Sequence, residues 1–234
     1  MQVYSHRFVV SAPAVPAYLA DTYWWAYIHP RAVRVFERQW LVNLILFGNF
    51  GRLRDAALAA LGDRLAGRTL QIACVYGDLS VRLAARMVPG ASLDVVDVLP
   101  IQLENLERKL PHDVAVRLVH GDSAALELES ETYDRALLFF LLHEQPAAVR
   151  RATISEALRV LMPGGRLVIV DYHRPGARNL LFWPMAAILH LLEPYALDLW
   201  RHAIAEWLPE SVQCSNASKV TAFGGLYQIV TLTK

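Results

Sequence analysis

Two acids in this chain stand where a carboxylate can hold the sugar and the base of a nucleoside. Asp97 closes an apolar run about 20 positions after the glycine turn at Gly77, the spacing at which an acid accepts both ribose hydroxyls. Asp122, in His120-Gly-Asp-Ser-Ala124, is placed to accept from an adenine amino group. Either acid alone is an ordinary turn or cap residue; each following its own strand, they make a constellation. Ahead of them runs Leu70-Gln-Ile-Ala-Cys-Val-Tyr-Gly-Asp-Leu-Ser80. There an apolar strand enters a tight turn at Gly77, and an amphipathic segment, Leu79 to Met87, follows. That order brings a first strand against a nucleotide or nucleoside ligand. The candidate cofactor wall is therefore Gln71, Ala73, Val75, Tyr76, Gly77, Asp97, Val98, Asp122, Ser123 and Phe140.

A second group can move protons or hold a cation. His143 and Glu144 leave the fourth strand of the pattern, and Asp171, Tyr172 and His173 leave the fifth. His143, Glu144, Asp171 and His173 are the types that take a hard divalent metal, and His143 or His173 suits general acid–base work. The bland reading leaves Glu144 as a charge at a helix start beside Pro146. Tyr195, Asp198 and His202 share one face at helical spacing, either as further site residues or as a solvated face.

The elements that must position these residues follow from periodicity. Strands are predicted at Leu70–Val75, Ser92–Val96, Ala115–Val119, Tyr133–Phe140 and Arg166–Tyr172. Helices are predicted at Leu79–Met87, Pro100–Leu110 and Pro146–Leu161. Near-continuous apolar strands alternating with helices predict a parallel sheet covered on both faces. A last strand, Leu226–Thr233, is expected to pair antiparallel with residues around 212–222. Residues 1–65 read as a helical extension, with an aromatic stretch from Pro16 to Ile28 and helices at Arg31–Phe47 and Leu53–Leu61. Residues 66–234 read as the ligand-binding domain, carrying an apolar insertion at 178–208.

Net charge is +1, which gives no footprint for nucleic acid. Hydrophobic residues make up 55% and charged residues only 19%, an imbalance that needs a buried or membrane-facing home. Cys74 and Cys214 form no disulfide framework, which fits a reducing compartment. No secretory signal pattern opens the chain, and no apolar run approaches the roughly 20 residues of a spanning helix.

The strand–loop at 70–80, Val96-Asp97, Gly121-Asp122, Tyr133-Asp134, Leu141-Leu-His143 and Arg159-Val-Leu-Met-Pro-Gly-Gly165 resemble class I S-adenosylmethionine (SAM)-dependent methyltransferases of the ubiquinone/menaquinone type. That resemblance implies an α/β, Rossmann-like fold: a mostly parallel sheet with a C-terminal antiparallel strand, here with an N-terminal helical extension. Longer strings resemble the rhodoquinone biosynthesis proteins (RquA type) over nearly the whole chain. They are Thr22-Tyr-Trp-Trp-Ala-Tyr-Ile-His-Pro-Arg-Ala-Val-Arg34, Cys74-Val-Tyr-Gly-Asp78, Leu138-Phe-Phe-Leu-Leu-His-Glu-Gln145, Val170-Asp-Tyr-His-Arg-Pro175 and Phe223-Gly-Gly-Leu-Tyr-Gln228. This second resemblance implies conversion of ubiquinone to rhodoquinone: a ring methoxy group is exchanged for an amino group, with SAM as amino donor and manganese(II) assisting.

Ordinary methyltransferases of this class end the first strand in an acid and carry three glycines in the loop. Here those positions are Gln71, Ala73, Val75 and Gly77. An amine attacks carbon only through a free lone pair, and a neighbouring carboxylate favours the ammonium form. Gln71 hydrogen-bonds without that bias, and Ala73 and Val75 add side chains where glycine admits close approach. On this reading a metal polarises a quinone carbonyl, His143 or His173 handles the amine proton, and Tyr172 and Tyr195 bond the second carbonyl. Ubiquinone's tail stays in the bilayer. The chain is thus expected at a lipid surface, peripheral on the cytoplasmic face of a bacterial inner membrane. Its aromatic extension and Arg31, Arg34 and Arg38 would sit at the interface, or the extension would cap the site. The alternatives are conventional methyl transfer to a lipophilic acceptor, and a non-catalytic subunit of a quinone-biosynthesis complex.

Overall fold

A computed structural model describes residues 7–10, 13–111, 114–176, 178–210 and 214–234. Eight strands form one sheet: β1 Arg7–Val10, β2 Arg68–Ile72, β3 Ser92–Asp97, β4 Val116–His120, β5 Tyr133–Phe139, β6 Leu161–Tyr172, β7 Asn216–Ala222 and β8 Tyr227–Thr233. The helices are α1 Ala17–Thr22, α2 Pro30–Phe36, α3 Gln39–Ile45, α4 Phe50–Leu61, α5 Leu79–Ala84, α6 Pro100–Glu107, α7 Ala147–Val160, α8 Phe182–Leu192 and α9 Asp198–Arg201. A π-helical turn spans Trp24–Ile28, and 3-10 turns span Leu142–Glu144 and Ile204–Trp207.

The strand order is β1-β4-β3-β2-β5-β6-β8-β7. Pairs from β1 to β6 are parallel, and β8 runs antiparallel to both β6 and β7. The expected α/β, mostly parallel sheet with its antiparallel C-terminal strand is thus the observed fold. Its chemistry is visible along β5. Leu137 and Phe139 join a core with Phe50 and Leu53 of α4 and Leu103 of α6. Ala136 and Leu138 join the opposite core with Ile154 and Leu158 of α7. Alternate residues face opposite sides of a strand, so the stretch of β5 covered on both faces, Ala136–Phe139, is apolar throughout.

Residues 1–65 are not all helix. β1 extends the sheet by pairing with β4 in register Arg7↔Arg117, a four-residue edge too short for periodicity to mark. The helix expected over Arg31–Phe47 is two helices, broken where Arg38 is extended (ψ 109°). Just before the break, Glu37 accepts from Lys109 Nζ (2.7 Å) and Asn105 Nδ2 (2.6 Å) on and after α6. That tie holds α2 against the sheet's helical layer and frees α3 to turn away. α4 contributes Phe50, Leu53 and Leu58 to the same core as α5 and α6, so it is continuous with the sheet domain. Among the described residues no helix is long and apolar enough to cross a membrane.

Candidate active site

One cavity of about 490 Å³ lies at the carboxyl ends of β2–β6, roofed by the N-terminal segment and α8. Its size suits a small-molecule site, roughly 300–1,000 Å³. β2 ends at Ile72, where Ala73 takes φ +71°, a left-handed turn that a non-glycine residue adopts at some cost. The backbone then runs Ala73–Tyr76 along the cavity wall. Asp97, at the end of β3, faces this loop: its carboxylate accepts from Cys74 N (2.7 Å) and Leu99 N (2.8 Å). Burial raises its carboxyl to about 6, against the pull of those two donors. Val98, Asp122, Ser123 and Phe140 complete this end. Asp122 accepts from Ala124 N (2.8 Å) in its own turn. Two acids at adjacent strand ends, with backbone between them, fit a bound SAM: Asp97 at the ribose and Asp122 with Ser123 at the adenine.

The other end of the cavity carries His143, Glu144, Tyr172 and Glu193, with Tyr18 and Tyr23 above them. His143 Nδ1 lies 3.0 Å from Asp171 Oδ1, a close ion-pair contact rather than an aligned hydrogen bond, and Nε2 lies 3.7 Å from Glu144 Oε1. Its ring packs edge-on against Tyr172 (4.9 Å) and Phe140 (5.8 Å). Burial opposes its charge, yet Asp171, Glu193 and Glu144 together raise its pKa to about 9. His143 is therefore an imidazolium near neutral pH, an acid and hydrogen-bond donor. Burial also raises Glu193, with His143 and Tyr23 pulling it back. Burial and the Glu193 carboxyl raise Tyr23, which stays a phenol.

Arg150 organises this end without touching the cavity. Fully buried, it donates to Leu142 O (2.8 Å), Gln145 O (2.8 Å) and Tyr195 O (2.9 Å). Its guanidinium also lies 4.7 Å from the Trp207 ring. One side chain thus joins the turn that presents His143 and Glu144 to the loop that follows Glu193.

Of the expected residues, the structure brings Ala73, Val75, Tyr76, Asp97, Val98, Asp122, Ser123, Phe140, His143, Glu144 and Tyr172 to one cavity. The others lie elsewhere. Gln71 is buried below the loop, its Nε2 donating to Ala73 O (2.9 Å). Gly77 turns away (φ +84°) and packs on Phe50, whose ring would lie 2.9 Å from an added Cβ. His173 has left the sheet for the β7–β8 hairpin: Nδ1 contacts Gly225 O (2.7 Å) and Nε2 faces Lys219 (3.4 Å). Tyr195 is absent from the cavity wall, its ring meeting Tyr18 edge-on at 6.5 Å.

The expected metal set is not assembled. Asp171 is spent on Leu142 N (2.9 Å), Tyr172 N (2.8 Å) and His143, and His173 points to another part of the fold. Among the described residues no cluster of three or more His, Cys, Asp or Glu side chains is arranged to hold a metal ion. The residues present therefore do not fit manganese. Sequence reasoning missed Tyr18, Tyr23 and Glu193. The available signal was Glu193 itself, the first acid after an apolar helix.

The profile of the Methyltransferase domain family matches residues 69–165. The ubiquinone/menaquinone biosynthesis C-methyltransferase UbiE of Syntrophotalea carbinolica is 31% identical over 182 residues, covering 77% of this chain and 76% of that protein. The protein of the same name from Cereibacter sphaeroides is 32% identical over 149 residues, 62% of this chain and 58% of that one. Among solved structures, the N-methyltransferase NodS from Bradyrhizobium japonicum with S-adenosyl-L-homocysteine superposes with TM-score 0.58 at 14% identity, covering 87% of this chain and 97% of that one. Fold, cofactor end and sequence together define a class I SAM-dependent methyltransferase fold. Within that class, the chain belongs to the UbiE-like family.

Proposed function

We propose that this chain is a SAM-dependent transferase whose acceptor is the headgroup of a membrane quinone, and that it exchanges a ring methoxy group of ubiquinone for an amino group. The observation that carries the reading is His143, a buried imidazolium at the far end of an apolar cavity from Asp97. An acid there donates a hydrogen bond to a quinone carbonyl oxygen and draws electrons from the ring. That favours attack on the ring by a nucleophile. When bound, SAM supplies an electrophilic methyl group and an amine; only the amine needs an electron-poor ring. The exchange would form a ring carbon–nitrogen bond with loss of the methoxy group as methanol. It would then break the bond between that nitrogen and SAM's α-carbon, the quinone ring serving as two-electron oxidant and water hydrolysing the resulting imine, so that an aminoquinol forms and SAM's carbon skeleton leaves as a 2-oxo acid. Asp97 and Asp122 hold the nucleoside, Tyr172 flanks the ring site, and Glu144 and Glu193 are within the same cavity to take the amine proton. The long strings that resemble rhodoquinone biosynthesis proteins support the same reading.

C-methyl transfer to a quinol is the second reading. The UbiE relatives support it, and Glu193, a buried carboxylate of raised pKa, suits the base that such a ring needs. One experiment separates the two: SAM carrying nitrogen-15 at the amine and carbon-13 at the methyl, incubated with ubiquinone or a demethylated quinol in micelles. Nitrogen-15 in the quinone by mass spectrometry is the expected result. Carbon-13 alone establishes methyl transfer, and neither label, with SAM bound, points to a scaffold subunit.

A further inference from the structure

Fourteen large apolar side chains are exposed among the described residues, and twelve of them fall in two short stretches, 24–47 and 180–192. On α3, Trp40 and Leu44 are 62% and 64% exposed; at α8, Leu180, Trp183 and Leu191 are 92%, 76% and 77% exposed. The other faces of the same helices, through Leu41 and Ile45 and through Met185 and Leu189, line the cavity. A surface helix normally turns polar residues outward. These two carry large apolar residues on both sides, with Gln39 and Asn43 on α3 and His190 on α8 as their polar members, and α8 contains no Lys, Arg, Asp or Glu. Charge lies only beside them. Arg31, Arg34 and Arg38 precede α3, Arg174 and Arg178 precede α8, and all five are exposed. The one acid in either stretch, Glu37, is turned inward onto Lys109 and Asn105. An apolar band with a cationic border matches the headgroup–acyl boundary of an anionic bilayer, where Trp settles and Arg meets phosphate.

We infer that α3 and α8 are the two sides of a bilayer-docking face that seats the cavity mouth in an anionic membrane, so that a lipid-dissolved acceptor enters between them without crossing water. The identity of that acceptor rests on the proposed function; the docking does not. Leu41 and Ile45 on one side, and Met185 and Leu189 on the other, are then the walls of the passage for its apolar tail.

The test is sedimentation of the full chain with vesicles of phosphatidylcholine alone and of phosphatidylcholine with phosphatidylglycerol. A variant carrying Trp40→Ser, Leu44→Ser, Trp183→Ser and Leu191→Ser is run beside it; none of the four residues lines the cavity. The wild type is expected to pellet with the anionic vesicles and to be released by salt. The variant is expected to lose tenfold or more of its partition, by order of magnitude, while its SAM affinity by calorimetry stays unchanged. A second variant, Arg31→Gln with Arg38→Gln and Arg178→Gln, should weaken binding to anionic vesicles alone.

Wild-type protein left in the supernatant with both vesicles, or a quadruple variant that binds as the wild type does, overturns the inference. So does light scattering that finds a wild-type dimer and a monomeric variant, which would assign the face to a second copy. Turnover of a short-tailed, water-soluble quinone, measured on the same samples, keeps the outcomes apart. Wild-type protein that turns over this quinone but does not dock is a failure of the docking inference, and wild-type docking without turnover is a failure of the quinone reading.

Discussion

At the scale of single residues, two groups lining the cavity have proton affinities that the fold has moved, Asp97 by burial and His143 by neighbouring carboxylates. Asp97 has its pKa raised from 3.8 to about 6 by burial. In the ligand-free protein the folded state therefore holds this proton more tightly than the unfolded chain, and stability falls as pH rises from about 3.8 through 6. Ribose hydroxyls donate to the ionised form, so SAM affinity should move the other way. Calorimetry at pH 5 is expected to give about tenfold weaker binding than at pH 7, and Asp97→Asn should bind weakly at both. His143 carries the opposite charge logic. Its folded pKa, about 9, lies above the unfolded 6.5, so its contribution is full below 6.5 and is lost as pH rises through 9. Urea titrations should show stability falling over that window by on the order of 3 kcal/mol, a slope that His143→Gln removes. Turnover should fall in the same alkaline limb if the imidazolium is the working form; a rising limb would make His143 a base.

At the scale of elements, the site depends on how separate segments are tied together. Arg150 of α7 satisfies three backbone carbonyls from the His143 turn and the loop after Glu193. Arg150→Met leaves those carbonyls buried and unpaired, and should cost about 3 kcal/mol or more in urea unfolding. Arg150→Lys, lacking the planar fork, should restore only part of it. Because Arg150 positions the turn from behind, SAM affinity at Asp97 should change little in either variant, while turnover falls. The Gln71–Ala73 pair shows the same indirectness on the cofactor side. Gln71 lies at the place of the usual acid, yet it acts on the loop through a hydrogen bond to the Ala73 carbonyl, not from the cavity wall.

At the scale of the whole molecule, the sheet supplies the floor of the cavity and two outlying segments supply its roof. Tyr76 on the cofactor loop donates to Ala26 O (2.8 Å), and its ring stacks on Phe36 at 6.0 Å, so the roof is fastened directly to the cofactor loop. α4, by contrast, belongs to the core beneath. A chain starting at residue 48 should keep a cooperative thermal transition but lose turnover by roughly a hundredfold or more, since Tyr18, Tyr23 and the α3 wall go with the removed segment. A truncated chain that fails to fold would show instead that the roof is part of the core.

The sequence by itself determined the parallel core of the sheet, its antiparallel C-terminal strand and the strand-end acids of the cavity. Apolar runs, glycine turns and strand-end acids are local signals, and Asp97 and Asp122 are each legible from the few residues around them. The same local reading brought His143 and Glu144 to the cavity, because they follow a strand directly. It misplaced His173, which needed the path of the chain after β6 to be known, and it read Gln71 as a wall residue because alternation gives a face but not a distance from the ligand. The tertiary structure alone decided the other end of the cavity. Tyr23, His143 and Glu193 lie far apart along the chain and meet only because the N-terminal segment and α8 fold over the same strand ends. It also decided the proton affinity of His143, which is raised by three carboxylates at Asp171, Glu193 and Glu144, two of them distant in sequence. Coulomb interactions depend on separation in space, which the order of residues does not record.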